Sequence, residues 1–157
     1  MEQKSLVVYY SRSGNTKALA KLTAQLAGAD LFALVPVDSY PAEDSAAIEQ
    51  AEKEIRSGFQ PKLQGLPHLE TYDTIFVGTP NWWGTAAPPV TAFLKQCRLS
   101  GKKIAPFWTS GGDGTQHILQ DLMELCPDSV FLQNFTTVNK CFLKAQVVQW
   151  LQKIGYH

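Results

Sequence analysis

Residues 9–16 read YYSRSGNT. An apolar run ends at Tyr10. Ser11, Ser13 and Thr16 then offer three hydroxyls, Asn15 an amide, and Gly14 a backbone free to turn. A helix starting near Asn15 would aim its first unpaired N–H groups, and the positive end of its dipole, back into this loop. Such a loop forms a nest for a phosphate monoester. Two common phosphate loops do not match: there is no glycine–lysine pair for GxxxxGK[ST], and Gly14 stands alone where GxGxxG needs three glycines. Arg12 is the only cation in the stretch, and an alternating turn can direct it outward. An anion held mainly by neutral hydrogen bonds suits a permanently bound terminal phosphate better than catalysed phosphoryl transfer. The plainer reading is a Ser/Asn-rich helix cap. On this stretch alone both readings stand.

Two later loops carry unusual chemistry. In Thr79-Pro80-Asn81-Trp82-Trp83-Gly84 the tryptophans are adjacent. Successive side chains of an extended chain alternate, so at least one indole faces a cleft. There it can stack on a flat heteroaromatic ring, worth about 0.5–1.5 kcal/mol beyond burial. Gly84 and Thr85 would let the backbone approach that ring. Ser110-Gly111-Gly112-Asp113-Gly114 places three glycines among five residues. That costs chain entropy and suits a backbone lying against a ligand edge, although a plain surface turn reads the same way. A phosphate nest, a ring face and a polar ring edge, joined by a ribityl-type spacer, describe flavin mononucleotide (FMN).

The elements that must position these loops alternate in periodicity. Short apolar runs at 6–10, 29–37, 74–78, 103–109 and 129–135 read as strands. Amphipathic stretches at 17–27, 90–97, 115–126 and 140–154 read as helices, 46–56, rich in Ala, Glu, Gln and Ile, as a more exposed helix, and 57–71, with Gly58, Pro61, Gly65 and Pro67, as a loop. Continuous apolar strands between amphipathic helices imply a parallel sheet covered on both faces, a three-layer α/β/α sandwich. Ligands of such sheets bind beyond the carboxyl ends of the strands, where all three loops fall.

The totals narrow the function. The 157 residues suggest one domain, 1–157, with 45% hydrophobic and 18% charged residues. Fourteen basic and fourteen acidic side chains cancel, which argues against a broad nucleic-acid surface or attraction to anionic membranes. The first apolar run is too short to span a membrane and lacks a cleavage region, so a cytoplasmic protein without membrane insertion is expected. Cys97, Cys126 and Cys141 have no CxxC spacing and read as core residues, not as disulfide or zinc ligands. His68, His117 and His157 are scattered, so no metal site is expected.

The three loops in this order resemble the flavodoxin family over essentially the whole chain. SRSGNT resembles its phosphate loop. GTPNWWGTAAPPV and TSGGDGT, followed by a helix ending in ELCP, resemble a flavodoxin-like subfamily of short single-domain proteins. The resemblance implies a five-stranded parallel sheet of order 2-1-3-4-5, for which this family is itself the type example, with FMN between the first and third strands. The chain length implies the short form, without an insertion in the last strand. Ser11, Ser13, Gly14, Asn15 and Thr16, with Arg12 in the same loop, would hold the phosphate. Thr79 and Pro80 would pass along the ribityl chain. Asn81, Trp82, Trp83 and Gly84 would contact the isoalloxazine. Ser110, Gly111, Gly112, Asp113 and Gly114 would close over its pyrimidine or outer edge. No catalytic side chain is implied, because the flavin carries the chemistry.

Two features depart from the family pattern. Dedicated carriers of the family are usually strongly acidic, whereas this chain is neutral. The third loop lacks the tyrosine that many members stack on the ring, which leaves one face open to a nicotinamide or a quinone. The first expectation is therefore an electron-transferring FMN protein, and the alternative an FMN-dependent NAD(P)H (quinone) oxidoreductase. A fold that has lost its flavin is a third reading. Its partners would be a redox protein or a small acceptor; the oligomeric state is not indicated. Asp113 and His117 could move protons near the ring, or be a turn aspartate and a first-turn polar residue. Tyr40 and Pro41 could approach the site from the loop after the second strand.

Overall fold

Strands and helices alternate along the computed structural model, which describes residues 4–110, 117–138 and 142–156. Strand β1 (Ser5–Tyr9) is buried along its whole length, as a strand covered on both faces must be. It pairs in parallel with β2 (Asp30–Ala33) on one side and β3 (Thr74–Trp82) on the other, so that Val7 lies opposite Leu31 and Phe76. Beyond β3 come β5 (Lys103–Ser110) and then β6 (Val130–Phe131), also parallel, giving the order β2-β1-β3-β5-β6.

Alternation along the strands divides the core in two. Val7, Tyr9, Phe76 and Phe107 face α1 (Asn15–Ala27) and α5 (Lys144–Lys153), where Leu19, Val147 and Trp150 meet them. Leu6, Val8, Ile75, Val77 and Trp108 face the other way, against Val90 and Phe93 of α3 (Pro88–Gln96) and Ile118 and Leu122 of α4 (Ile118–Leu125). The helix α2 (Asp44–Ser57) contacts α3 and β3. Trp108 and Trp150 are core residues. Burial pushes the Cys97 thiol up, and that of Cys126 up to about 11, which fits inert core cysteines. Among the described residues, no helix is long and apolar enough to cross a membrane.

The layered α/β class and the succession of five main strands agree with expectation, but among the described residues the sheet has seven strands. One addition is β4 (Thr85–Ala86), which runs antiparallel to the end of β3. The other is β7 (Phe135–Val138), which pairs with β5 after a three-residue break in the last strand. Gln133 and Asn134 fall in that break, and asparagine is a poor strand former. The second strand stops at Ala33, not at 37. Pro36 forms an antiparallel bridge to Leu63, with Val37 N–H donating to Lys62 O at 2.7 Å. This bridge accounts for the early part of the loop expected at 57–71. β3 continues four residues past 78, to Trp82. α4 and α5 start later than expected, with Thr115, Lys140 and Cys141 outside the described residues.

At Gly78 the layers leave no room for a side chain. A Cβ there would sit 2.4 Å from Phe107 Cε2 and Cζ and 3.1 Å from Tyr9 Cβ. Phe107 is fully buried and packs on Trp150 at a centroid distance of 6.1 Å, so it has nowhere to retreat. Gly78→Ala is predicted to cost about 1–3 kcal/mol, read as a fall in the urea midpoint. An unchanged midpoint would show that this contact yields freely.

Candidate functional site

The first loop turns through Gly14, whose φ of 97° lies in the left-handed region, and α1 starts at the next residue. Ser11 Oγ accepts a hydrogen bond from the Gly14 N–H at 3.1 Å. No described side chain caps α1, so the hydroxyl-capped helix that the sequence allowed does not form. The intrahelical ladder begins with Ala18 N–H donating to Gly14 O at 3.0 Å, and the amides of the first turn precede it. That arrangement suits an anion. Thr16 is buried and shares a 2.8 Å hydrogen bond with Thr109 Oγ1, tying α1 to the end of β5. One such bond leaves a hydroxyl further donor or acceptor capacity. Arg12 turns toward α2: Nη1 meets Asp44 Oδ1 at 2.8 Å, and Nη2 donates to the carbonyls of Pro41 and Ala42 at 3.0 and 3.1 Å.

The second loop is a hairpin turn. Asn81 pairs with Ala86 and Trp82 with Thr85, leaving Trp83 and Gly84 as a two-residue connection. Both have positive φ, 58° and 81°, the signature of a type I′ turn. Glycine tolerates this, whereas a bulky residue stores on the order of 1–3 kcal/mol of strain and must be held from outside. Here α2 and α4 do the holding. Trp83 Nε1 donates to Ile48 O at 3.2 Å. His117 N–H donates to Gly84 O at 2.9 Å. The Asp121 carboxylate accepts from Thr85 Oγ1 and meets His117 Nδ1 at 2.6 Å. His117 thus anchors the loops structurally.

The two indoles diverge, as alternation requires. Trp82 packs edge-on against Tyr10 and Tyr40, at 5.6 and 5.2 Å, while Trp83 remains 52% exposed. Tyr40 therefore reaches the site through Trp82. Its hydroxyl donates to Glu54 Oε1 at 2.6 Å, and Gln50 Nε2 donates to Oε2 at 3.0 Å, which satisfies a carboxylate only 8% exposed. Burial, then the hydrogen bond and charge of Glu54, hold the Tyr40 phenol far above its ordinary range. Tyr10 is pushed up to about 12, chiefly by burial, with Arg12 opposing and Glu54 adding. Both phenols stay protonated at neutral pH and act as packing rings.

These loops converge on a cavity of about 470 Å³. Arg12, Ser13, Asn15 and Thr16 form one side; Pro80, Asn81, Trp82 and Trp83 another; Thr109 and Ser110 close the end of β5. Asn81 Nδ2 reaches Ser110 Oγ at a long 3.5 Å, and Asn81 Oδ1 is buried with no partner among the described residues. A buried orphan acceptor calls for a donor. Ser11, Gly14 and Gly84 shape the loops without lining the cavity. Thr79 is fully buried behind the wall, its hydroxyl donating to Pro80 O and accepting from Ala87 N–H, each at 2.9 Å. Gly111, Gly112, Asp113 and Gly114 lie outside the described residues.

The remaining wall was not anticipated. Asp44, Ala47, Ile48 and Ala51 of α2 face the same cavity. The sequence suggested an exposed helix, yet Ala47 and Ala51 are buried. The signal was present: two small residues four apart, flanking Ile48, make a flat stripe on one helix face.

The sequence profile described as flavodoxin matches residues 4–154. Among solved structures, a Bacteroides eggerthii protein, provisionally named a flavoprotein, is similar with TM-score 0.87 and 25% identity, covering 99% of this chain and 100% of that one. A flavoprotein from Lactobacillus acidophilus, crystallised in complex with FMN, is similar with TM-score 0.73 and 25% identity, covering 95% and 99%. A Cupriavidus metallidurans protein named NAD(P)H dehydrogenase (quinone) is 36% identical over 121 residues, 73% of this chain and 58% of that protein. The chain thus spans less than two thirds of that relative's length.

The adjacent tryptophans should respond oppositely to mutation. Trp83→Asn relieves a positive-φ position at a half-exposed site, so thermal stability should hold or rise by up to about 1 kcal/mol. Trp82→Ala empties an aromatic cluster and should cost about 2–4 kcal/mol. Equal losses in thermal melts would contradict the strained-turn assignment.

Proposed function

The chain belongs to the flavodoxin family, and from that premise we propose that it binds FMN non-covalently and works as a redox protein. One observation carries the reading: an uncapped helix start and a half-exposed indole open into the same cavity. Ser13, Asn15 and the first-turn amides of α1 would hold the phosphate. Trp83 would cover a ring face, and Asn81 Oδ1 would accept from a ring-edge N–H, which resolves its orphaned state. When bound, FMN supplies the electron and hydride chemistry. Pro80, Trp82 and Ile48 keep water from one wall. The phenols behind them stay protonated at neutral pH and add no charge. A reducing cytoplasm suits the thiols of Cys97 and Cys126.

A second reading, an FMN-dependent NAD(P)H:quinone oxidoreductase, is favoured by the named activity of the Cupriavidus relative. Zero formal net charge supports it too, because steering toward a charged redox partner would be weak. In both readings the protein exchanges electrons with a donor and an acceptor, NAD(P)H and a quinone being those of the second.

Titrating the protein with FMN and following flavin fluorescence tests the site. Ser13 is exposed, so Ser13→Asp should leave the melting curve alone while weakening FMN by at least about tenfold through charge repulsion. Thr16 is unsuited to this test, being buried on Thr109. Unchanged FMN affinity in Ser13→Asp would overturn the phosphate assignment. For the second reading, anaerobic mixing of the FMN-loaded protein with NADPH should bleach flavin absorbance within seconds; no bleaching with NADPH or NADH would leave the electron-carrier reading.

A further inference from the structure

Among the described residues lining the cavity, Arg12 is the only cation and Asp44 the only anion, and they are paired. The partners are held unequally. The Arg12 side chain is 25% exposed, and two backbone carbonyls, of Pro41 and Ala42, fix its guanidinium. The Asp44 side chain is 85% exposed and its carboxylate is held by Arg12 alone among the bonds described. An exposed ion pair of this kind contributes little and exchanges readily. A guanidinium prefers a planar, bidentate partner and serves phosphate as well as carboxylate. Any phosphate bound beside Ser13 and Asn15 therefore meets one cation and one anion in the same wall. Asp44 would repel that phosphate and occupy its cation. The first turn of α2 also favours a carboxylate at this position, so helix stability and phosphate affinity pull in opposite directions on one residue.

We propose that Asp44 is a specificity-determining residue: it competes with the ligand's phosphate for the Arg12 guanidinium and so sets how strongly the site prefers a phosphorylated flavin to an unphosphorylated one. The inference rests on the FMN reading. Arg12 is the attracting half of the device and Asp44 the restraining half. The preference should weaken as salt rises, because both charges are reached by solvent.

Affinities for FMN and riboflavin, measured by fluorescence on wild type, Asp44→Asn, Arg12→Gln and the double variant, test it. Asp44→Asn should tighten FMN roughly three- to tenfold and move riboflavin less than about twofold. Arg12→Gln should weaken FMN roughly tenfold with riboflavin again little changed. In the double variant the part of the Asp44→Asn benefit that comes from freeing Arg12 should be lost, leaving only the smaller part from direct repulsion. Parallel changes in FMN and riboflavin would mean that Asp44 acts on the helix and not on phosphate. A full Asp44→Asn effect surviving without Arg12 would also overturn the proposal. A wild-type protein that binds neither flavin overturns the FMN reading itself, and the inference with it.

Discussion

The first N–H groups of any α-helix have no partner within the helix, and α1 begins directly after Gly14 with no side chain among the described residues to serve them. Much of the site follows from that constraint. β1 is buried on both faces and ends at Tyr9, so the chain must leave the sheet there and re-enter as a helix on one face. The turn is short because Gly14 adopts a left-handed conformation. The Thr16–Thr109 bond then fixes the start of α1 against the end of β5. The result is a fixed set of donors beside the carboxyl edge of the sheet, where a parallel sheet places its ligands.

The other end of the cavity is built on strain. A tryptophan occupies a turn position that suits glycine or asparagine. It persists because α2 and α4 grip the turn through Ile48 O, His117 and Asp121. The grip explains why α2 forms a wall of the site, and why the hairpin and the start of α4 are coupled. Beneath the turn, Tyr10, Tyr40 and Trp82 pack at tilted and edge-on angles over a carboxylate satisfied by neutral donors. Uncharged rings support the indole, and the one cation and one anion that line the cavity among the described residues sit at the phosphate end.

The strand succession could be read from the sequence because both faces of the sheet are buried, which writes each strand as a continuous apolar run. The loops could be read because their residue types are unusual for connectors. Short-range geometry could not. Nothing in Trp83-Gly84 says that a tryptophan will take positive φ, since packing from two helices decides it. Pro36 pairing with Leu63, and Asp44 with Arg12, join residues 27 and 32 apart, beyond the reach of periodicity. The α2 wall was missed because alanine reads as a helix former before it reads as a flat surface. Thr79 shows the converse: its place in the second loop suggested ligand contact, and its hydroxyl instead ties β3 to the entry of α3.

Amide NMR of the ¹⁵N-labelled protein during FMN addition tests the central claim most directly. The account predicts that the largest shifts fall on Ser13, Asn15 and Thr16, on Asn81 and Gly84, on Ser110, and on the indole N–H of Trp83. Their convergence on one binding curve would establish a single ligand spanning both ends of the cavity. Shifts clustered instead along the distant groove at 94–100 and 125–129, or confined to the phosphate loop with the Trp83 indole unmoved, would contradict it.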